Sequence, residues 1–184
     1  MKFQRVLKGF TLIELMVTIA IAAILMSLAA PSFRDLLVSN RLTSDVNTYV
    51  SLINYARSEA ITRNQSVVVC PKNASAITCS NTQFWNENEV QVFVDANGNN
   101  ERNATDILLK TLPVLDASST QTIVLNAGTD KIIFGSLGYS QTPLSLYIHT
   151  VNAADPAYEF KYGRNLCISK PGRVRVIPGV ASCS

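Results

Sequence analysis

Gly9 to Pro31 reads GFTLIELMVTIAIAAILMSLAAP, and every other segment has to be fitted around it. Between Lys8 and Arg34 the one ionisable side chain is Glu14. As a helix rising about 1.5 Å per residue, the run Leu15 to Phe33 is long enough to cross the ~30 Å apolar layer of a bilayer. The sequence therefore predicts a chain that begins in a membrane. Glu14 is the uncommon part. A carboxylate near the entry of an apolar helix costs about 2.5–3.5 kcal/mol on insertion scales, so such a residue calls for a partner inside the membrane. The amine of a neighbouring copy or related chain is the natural candidate.

The text Lys8-Gly9-Phe10-Thr11-Leu12-Ile13-Glu14 resembles the processing signal of type IV pilins and type II secretion pseudopilins. The resemblance implies a leader, residues 1–9, removed after Gly9 by a prepilin peptidase. It also implies N-methylation of the new amino terminus at Phe10. Glu14 becomes the fifth mature residue, and the family pairs this acid with the amine of an adjacent subunit as the helix leaves the inner membrane for a filament. The plain alternative is a signal anchor carrying a stray acid.

With 184 residues there is room for one anchor helix and one compact domain of roughly 120 residues. The formal net charge of +3 comes from the leader, since Lys2, Arg5 and Lys8 are three of the 16 basic side chains and leave 13 against 13 acidic ones. The distribution is uneven. From Lys161 onward there are Lys161, Arg164, Lys170, Arg173 and Arg175 and no Asp or Glu. A basic end on a neutral body makes a local field rather than a general affinity for polyanions.

The basic leader stays cytoplasmic by the positive-inside bias, which puts the C-terminal domain outside the inner membrane, where thiols oxidise. Four cysteines allow three pairings. Cys70 with Cys79 and Cys167 with Cys183 are favoured, because each closes a short loop containing Pro or Gly. A metal site is the rival, but no Cys-x-x-Cys occurs and His149 is distant in sequence, so neither metal nor cofactor is expected.

Pro31 interrupts the apolar helix without ending its pattern. Leu42, Val46, Tyr49, Val50, Ile53, Ala56 and Ala60 recur at three- and four-residue intervals, with Arg41, Asp45, Asn47, Ser51, Arg57 and Arg63 between them. That is one apolar stripe on a helix running from about Phe10 to Arg63. Residues 10–33 are the membrane or filament-core part, and 34–184 the head, with an amphipathic helix over 34–63 and a β-rich remainder over 64–184. Strands are predicted at Ser66–Cys70, Glu89–Asp95, Ile107–Leu112, Gln121–Leu125, Lys131–Gly135, Leu144–Thr150, Tyr158–Tyr162, Asn165–Ser169 and Arg173–Ile177. No second helical period follows Arg63, so the fold class is α+β with antiparallel sheet.

A second resemblance spans nearly the whole mature chain. Asn54-Tyr55-Ala56-Arg57-Ser58-Glu59-Ala60, Val69-Cys70-Pro71, Trp85, the run Val92 to Asn99, Phe134-Gly135 and Gly172-Arg173-Val174-Arg175 are similar to the GspH/FimT group of minor pilins. This implies the type IV pilin fold, a long N-terminal helix, transmembrane in its first half, packed against antiparallel β-sheets. It implies other major and minor pilins as partners, and a course from a single-pass inner-membrane form with a periplasmic head to an extracellular pilus.

Three constellations test for chemistry. Asp95, Asn97, Asn99, Glu101 and Asp106 imitate the spacing of a calcium loop, but Asn100 stands where that loop needs glycine and Asp106 where it needs a bidentate glutamate. A hairpin turn built on Asn97-Gly98 is the preferred reading. His149 lies in an alternating strand, facing solvent or a hydrogen-bond partner, with no nucleophile motif or phosphate loop beside it, so no enzyme is expected. In Gly172-Arg173-Val174-Arg175-Val176, strand alternation puts both arginines on one face about 7 Å apart, close to one phosphate step of a nucleic-acid strand. Lys170 and Arg164 extend this patch if the preceding strand pairs with it.

The Gly-Arg-x-Arg text resembles the motif by which FimT-type minor pilins bind DNA in natural transformation. Carried over, Arg173 and Arg175 become phosphate contacts on double-stranded DNA and Gly172 the turn that exposes them. An ordinary edge strand guarded by basic side chains is the plain alternative. Two further readings share the leader and head without binding DNA: a FimU-like minor pilin that primes pilus assembly, and a GspH-like pseudopilin of a type II secretion system.

Overall fold

The computed structural model describes residues 9–114, 121–126, 129–141, 143–150, 161–179 and 183; the side chains at 28–32, 34, 121–126 and 150 lie outside the description. The order of elements is α1 (Leu12–Arg63), β1 (Ser66–Pro71), β2 (Val90–Asp95), β3 (Ile107–Leu112), β4 (Gln121–Asn126), β5 (Ile132–Phe134), β6 (Leu144–Thr150), β7 (Arg164–Ile168) and β8 (Val174–Pro178). The chain divides into two units, residues 1–40 and 41–184.

Helix α1 runs unbroken through Pro31 for 52 residues. At its start the Glu14 N–H donates to the Thr11 hydroxyl at 3.3 Å, so Thr11-x-x-Glu14 has the pattern of a capping box as well as that of a processing signal. At its end Asn64 takes a φ of 53°, the Gln65 N–H reaches the Ala60 carbonyl at 3.2 Å and the Asn64 N–H reaches the Ile61 carbonyl at 3.3 Å. This is the paired closure that stops a helix on a left-handed residue.

In the first unit the described side chains from Leu12 to Ser27 are exposed. Among the described residues no helix is long and apolar enough to cross a membrane. The side chains at 28–32, inside the span expected over Leu15 to Phe33, lie outside the description.

In the second unit α1 buries Leu42, Val46, Tyr49, Ile53, Ala56 and Ala60, as the periodicity predicts. Leu52 is buried too, while Val50 is half-buried, so the stripe is displaced toward Leu52. Tyr49 meets the fully buried Trp85 with ring centroids 6.3 Å apart. Burial, and then the nearby Asp45 carboxylate, push the Tyr49 phenol well above its usual value and keep it neutral.

The helix packs against two antiparallel four-stranded sheets, ordered β3-β2-β1-β5 and β4-β6-β7-β8. The central strands β1 and β2 are buried almost throughout. Register explains this. Val67 and Val69 share one face with Val94, Val92, Phe134 and Ile132. The other face carries Val68, Cys70 and Phe93, packed with Cys79 from the following loop. The disulfide Cys70–Cys79 ties that loop down, and the buried Gln91 side-chain amide donates to the carbonyls of Ile77 at 3.0 Å and Thr78 at 3.2 Å. Both faces are therefore covered, which is why these strands read as continuous apolar runs.

Eight of the nine strand expectations correspond to observed strands within a residue or two. The exception is Tyr158–Tyr162. Residues 158–160, like the polar segment 152–157, lie outside the description, and Lys161 and Tyr162 are helical. Tyr162 is buried and Lys161 exposed, with the ammonium 4.9 Å from the Tyr162 ring centroid, so Tyr162 anchors the chain just before β7 from a helical residue rather than from a strand.

Candidate nucleic-acid interface

Strands β7 and β8 form a hairpin at the edge of the second sheet, pairing Leu166 with Val176, Cys167 with Arg175 and Ile168 with Val174. Residues opposite one another share a face. The valines of β8 therefore lie on the face of the buried Leu166 and Ile168, and Arg175 lies on the other, with Cys167. Cys167 is joined to Cys183, so both disulfides have the pairing favoured from sequence.

The loop Lys170-Pro171-Gly172 closes this hairpin. The Ser169 N–H donates to the Arg173 carbonyl at 3.0 Å and the Gly172 N–H to the Ser169 carbonyl at 2.7 Å. The Ser169 hydroxyl accepts from the Arg173 N–H at 3.2 Å. Gly172 takes a φ of 78°, the left-handed position that a three-residue hairpin loop needs at its end. Lys170, Arg173 and Arg175 are exposed.

Gly172 does more than turn the chain. It is buried, and a Cβ added to it would sit 2.2 Å from the Gly138 carbonyl oxygen and 2.8 Å from Nε of Arg57. That same Nε donates to the Gly138 carbonyl at 3.1 Å. Gly138, at a φ of 76°, belongs to a tight turn after β5 in which the Gly138 N–H reaches the Gly135 carbonyl at 2.8 Å and the Gly135 N–H the Tyr139 carbonyl at 2.9 Å. The Ser140 N–H then donates to the Lys170 carbonyl at 2.9 Å. Helix α1, the 135–140 turn and the 170–172 loop thus meet at one point, and the basic loop is bolted to the helix.

The structure separates Arg164 from the other basic residues of the expected patch. It lies opposite Pro178, at the far end of the hairpin from Lys170, and beside Ile148 on the apolar face. Its guanidinium donates to the carbonyls of Tyr162 at 3.1 Å and Gly163 at 2.9 Å, fixing the entry to β7. Sequence reading missed Arg57 and Gly138. The available signal was a cation at position 57 beside Ala56 and Ala60, on the margin of a stripe whose small residues admit close approach.

Asp95 spends both carboxylate oxygens on backbone amides, accepting from Gly98 at 2.8 Å, Asn99 at 3.2 Å and Asn100 at 2.8 Å. Asp106 accepts from Ala96 at 2.9 Å and Asn103 at 2.8 Å. This is the bonding of a turn, in line with the preferred reading. His149 is buried rather than solvent-facing, and its ring stacks on Tyr147 at 4.8 Å between centroids.

A sequence profile for the family described as Type II transport protein GspH matches residues 45–172, well over half of the chain. This chain belongs to the GspH family. The family match covers α1 from residue 45, strands β1 to β7 and the loop that ends at Gly172, and stops before Arg173 and β8. A second profile, the prokaryotic N-terminal methylation motif, matches residues 6–30.

A fimbrial protein of Pseudomonas aeruginosa is 32% identical over 99 residues. Those residues are 54% of this GspH-family chain and 60% of the relative's own length. The type IV minor pilin FimU of Pseudomonas aeruginosa, strain PAO1, superposes with a TM-score of 0.58 at 21% identity, over 76% of this chain and 90% of that one. In its second crystal form the TM-score is 0.52 at 19% identity, over 77% and 90%. The GspH-family head described above therefore has the type IV pilin fold.

Proposed function

We propose that this GspH-family protein is a minor pilin at a pilus tip that captures double-stranded DNA through phosphate contacts, without sequence preference, for uptake in natural transformation. The observation that carries the reading is the loop at Lys170 to Gly172. It is fixed from behind by Arg57 and Gly138 and presents Lys170, Arg173 and Arg175 outward on an edge hairpin. A cation held on a rigid loop loses less freedom on meeting a phosphate than one on a mobile tail. Arginine's planar fork also suits phosphate oxygens. Replacing Arg173 or Arg175 by Gln is expected to weaken binding about equally for unrelated duplexes and to reduce the salt slope by about 1 per substitution. Fluorescence anisotropy of the full chain in detergent reads both quantities. Equal affinity of wild type and both variants would remove the phosphate role.

The N-terminal part of the proposal rests on the methylation-motif match and the exposed apolar run of α1. Prepilin peptidase cuts after Gly9, Phe10 becomes the methylated amino terminus, and the helix anchors the chain in the inner membrane with its head outside before it enters the filament. Glu14 then pairs with the amine of a neighbouring pilin. Glu14→Val is expected to insert and be cleaved normally but to reach sheared surface filaments at a small fraction of the wild-type level. Incorporation at the wild-type level would refute the pairing.

A FimU-like reading, in which the head primes pilus assembly through protein contacts alone, has the same fold and the same N-terminal steps. Loss of piliation with unchanged DNA binding in Glu14→Val cells would not separate the two. Wild-type piliation with lost DNA uptake in Arg173→Gln cells would, in favour of the first.

A further inference from the structure

The 135–140 turn bolted to the basic loop carries two large side chains in solvent. Leu137 is 75% exposed and Tyr139 is 54% exposed. Their backbone is not loose. The turn is closed by the two hydrogen bonds between Gly135 and residues Gly138 and Tyr139, and Gly138 rides on Ile61, which a Cβ there would approach to 2.6 Å. Tyr139 lies between Gly138, which touches Gly172, and Ser140, which bonds to Lys170. Neither the segment Gly135 to Gln141 nor the segment Ser169 to Val176 contains an acidic residue. The surface is thus a rigid aromatic and aliphatic tip set directly against a cationic loop.

Building on the DNA reading above, we infer that this tip is a base-stacking element, so that the site takes single-stranded DNA as well as duplex. A patch that reads phosphates alone contacts both forms, because both display the backbone. In a duplex the faces of the bases are buried against one another. Only an unpaired strand offers a base face to a neighbouring aromatic ring, and such a contact strengthens binding about fivefold or more. Tyr139 is placed to supply that contact while Lys170 and Arg173 hold the flanking phosphates. Leu137 adds an apolar edge. Rigidity of the turn matters here, because little freedom remains to be lost when a base settles on the ring.

The test compares the full chain in detergent with Tyr139→Ala and Tyr139→Phe, binding a labelled thymidine oligonucleotide and a mixed-sequence duplex of the same length. Tyr139→Ala is expected to weaken single-strand binding at least about fivefold while changing duplex binding less than about twofold, and Tyr139→Phe to retain both. An equal effect of Tyr139→Ala on the two forms, or none on either, overturns the inference and leaves the duplex reading standing. A wild-type chain that binds neither form overturns both readings.

Discussion

Gly172→Ala is expected to lower the stability of the head by about 2–3 kcal/mol, read as a reduced urea midpoint at unchanged slope, and to weaken DNA binding at the same time. Two costs add. An alanine at a φ of 78° leaves the region comfortable for L-residues, and its Cβ would fall 2.2 Å from a backbone carbonyl that cannot rotate away. The carbonyl belongs to Gly138, which Arg57 holds from the helix, so relief requires the loop to lift off α1. Lifting it removes the fixed placement of Lys170 and Arg173. Arg57→Gln, which keeps the glycine and loses the guanidinium beneath it, is expected to weaken the same attachment more mildly. A Gly172→Ala chain with wild-type stability and affinity would show that the loop is not held in this way.

The second large effect is expected at Trp85. Its side chain is fully buried against Tyr49, and truncation to Ala should cost about 3–5 kcal/mol, as for other large aromatic residues in cores. The indole N–H has no hydrogen-bond partner among the described residues. Trp85→Phe therefore gives up volume but no bond, and should cost much less than Trp85→Ala. Urea denaturation of the two variants side by side checks the order. Equal losses would mean that the indole nitrogen, not the ring volume, carries the contribution.

The helix was legible because its apolar residues recur with one period from Leu42 to Ala60, and the strands because β-branched runs were punctuated by turn residues. Leu52 and Val50 exchanged places because periodicity gives the centre of a stripe better than its margins. Of the strand expected at Tyr158 to Tyr162 only Lys161 and Tyr162 are described, and both are helical, since a tyrosine buries its ring as readily from a helical turn as from a strand. At the candidate site strand alternation predicts Arg173 and Arg175 on one face; β8 begins at Val174, so Arg175 takes the face of Cys167 by that local rule while Arg173 closes the loop against Ser169. Sequence reading misplaced Arg164, since that depended on the register of β7 against β8, which puts Arg164 beside Ile148. The attachment of Gly172 to Arg57 and Gly138 brings together three segments distant in the chain. No local pattern announces such a meeting.

The central claim is that three cations on a braced hairpin bind nucleic acid through its phosphates. The salt dependence of wild-type binding to two unrelated duplexes of equal length tests it most directly. The account predicts the same affinity for both, with log K falling against log salt at a slope of about −2.7, that is about −0.9 for each of the three phosphates met by Lys170, Arg173 and Arg175. A slope near zero, or no binding even at low salt, would contradict it.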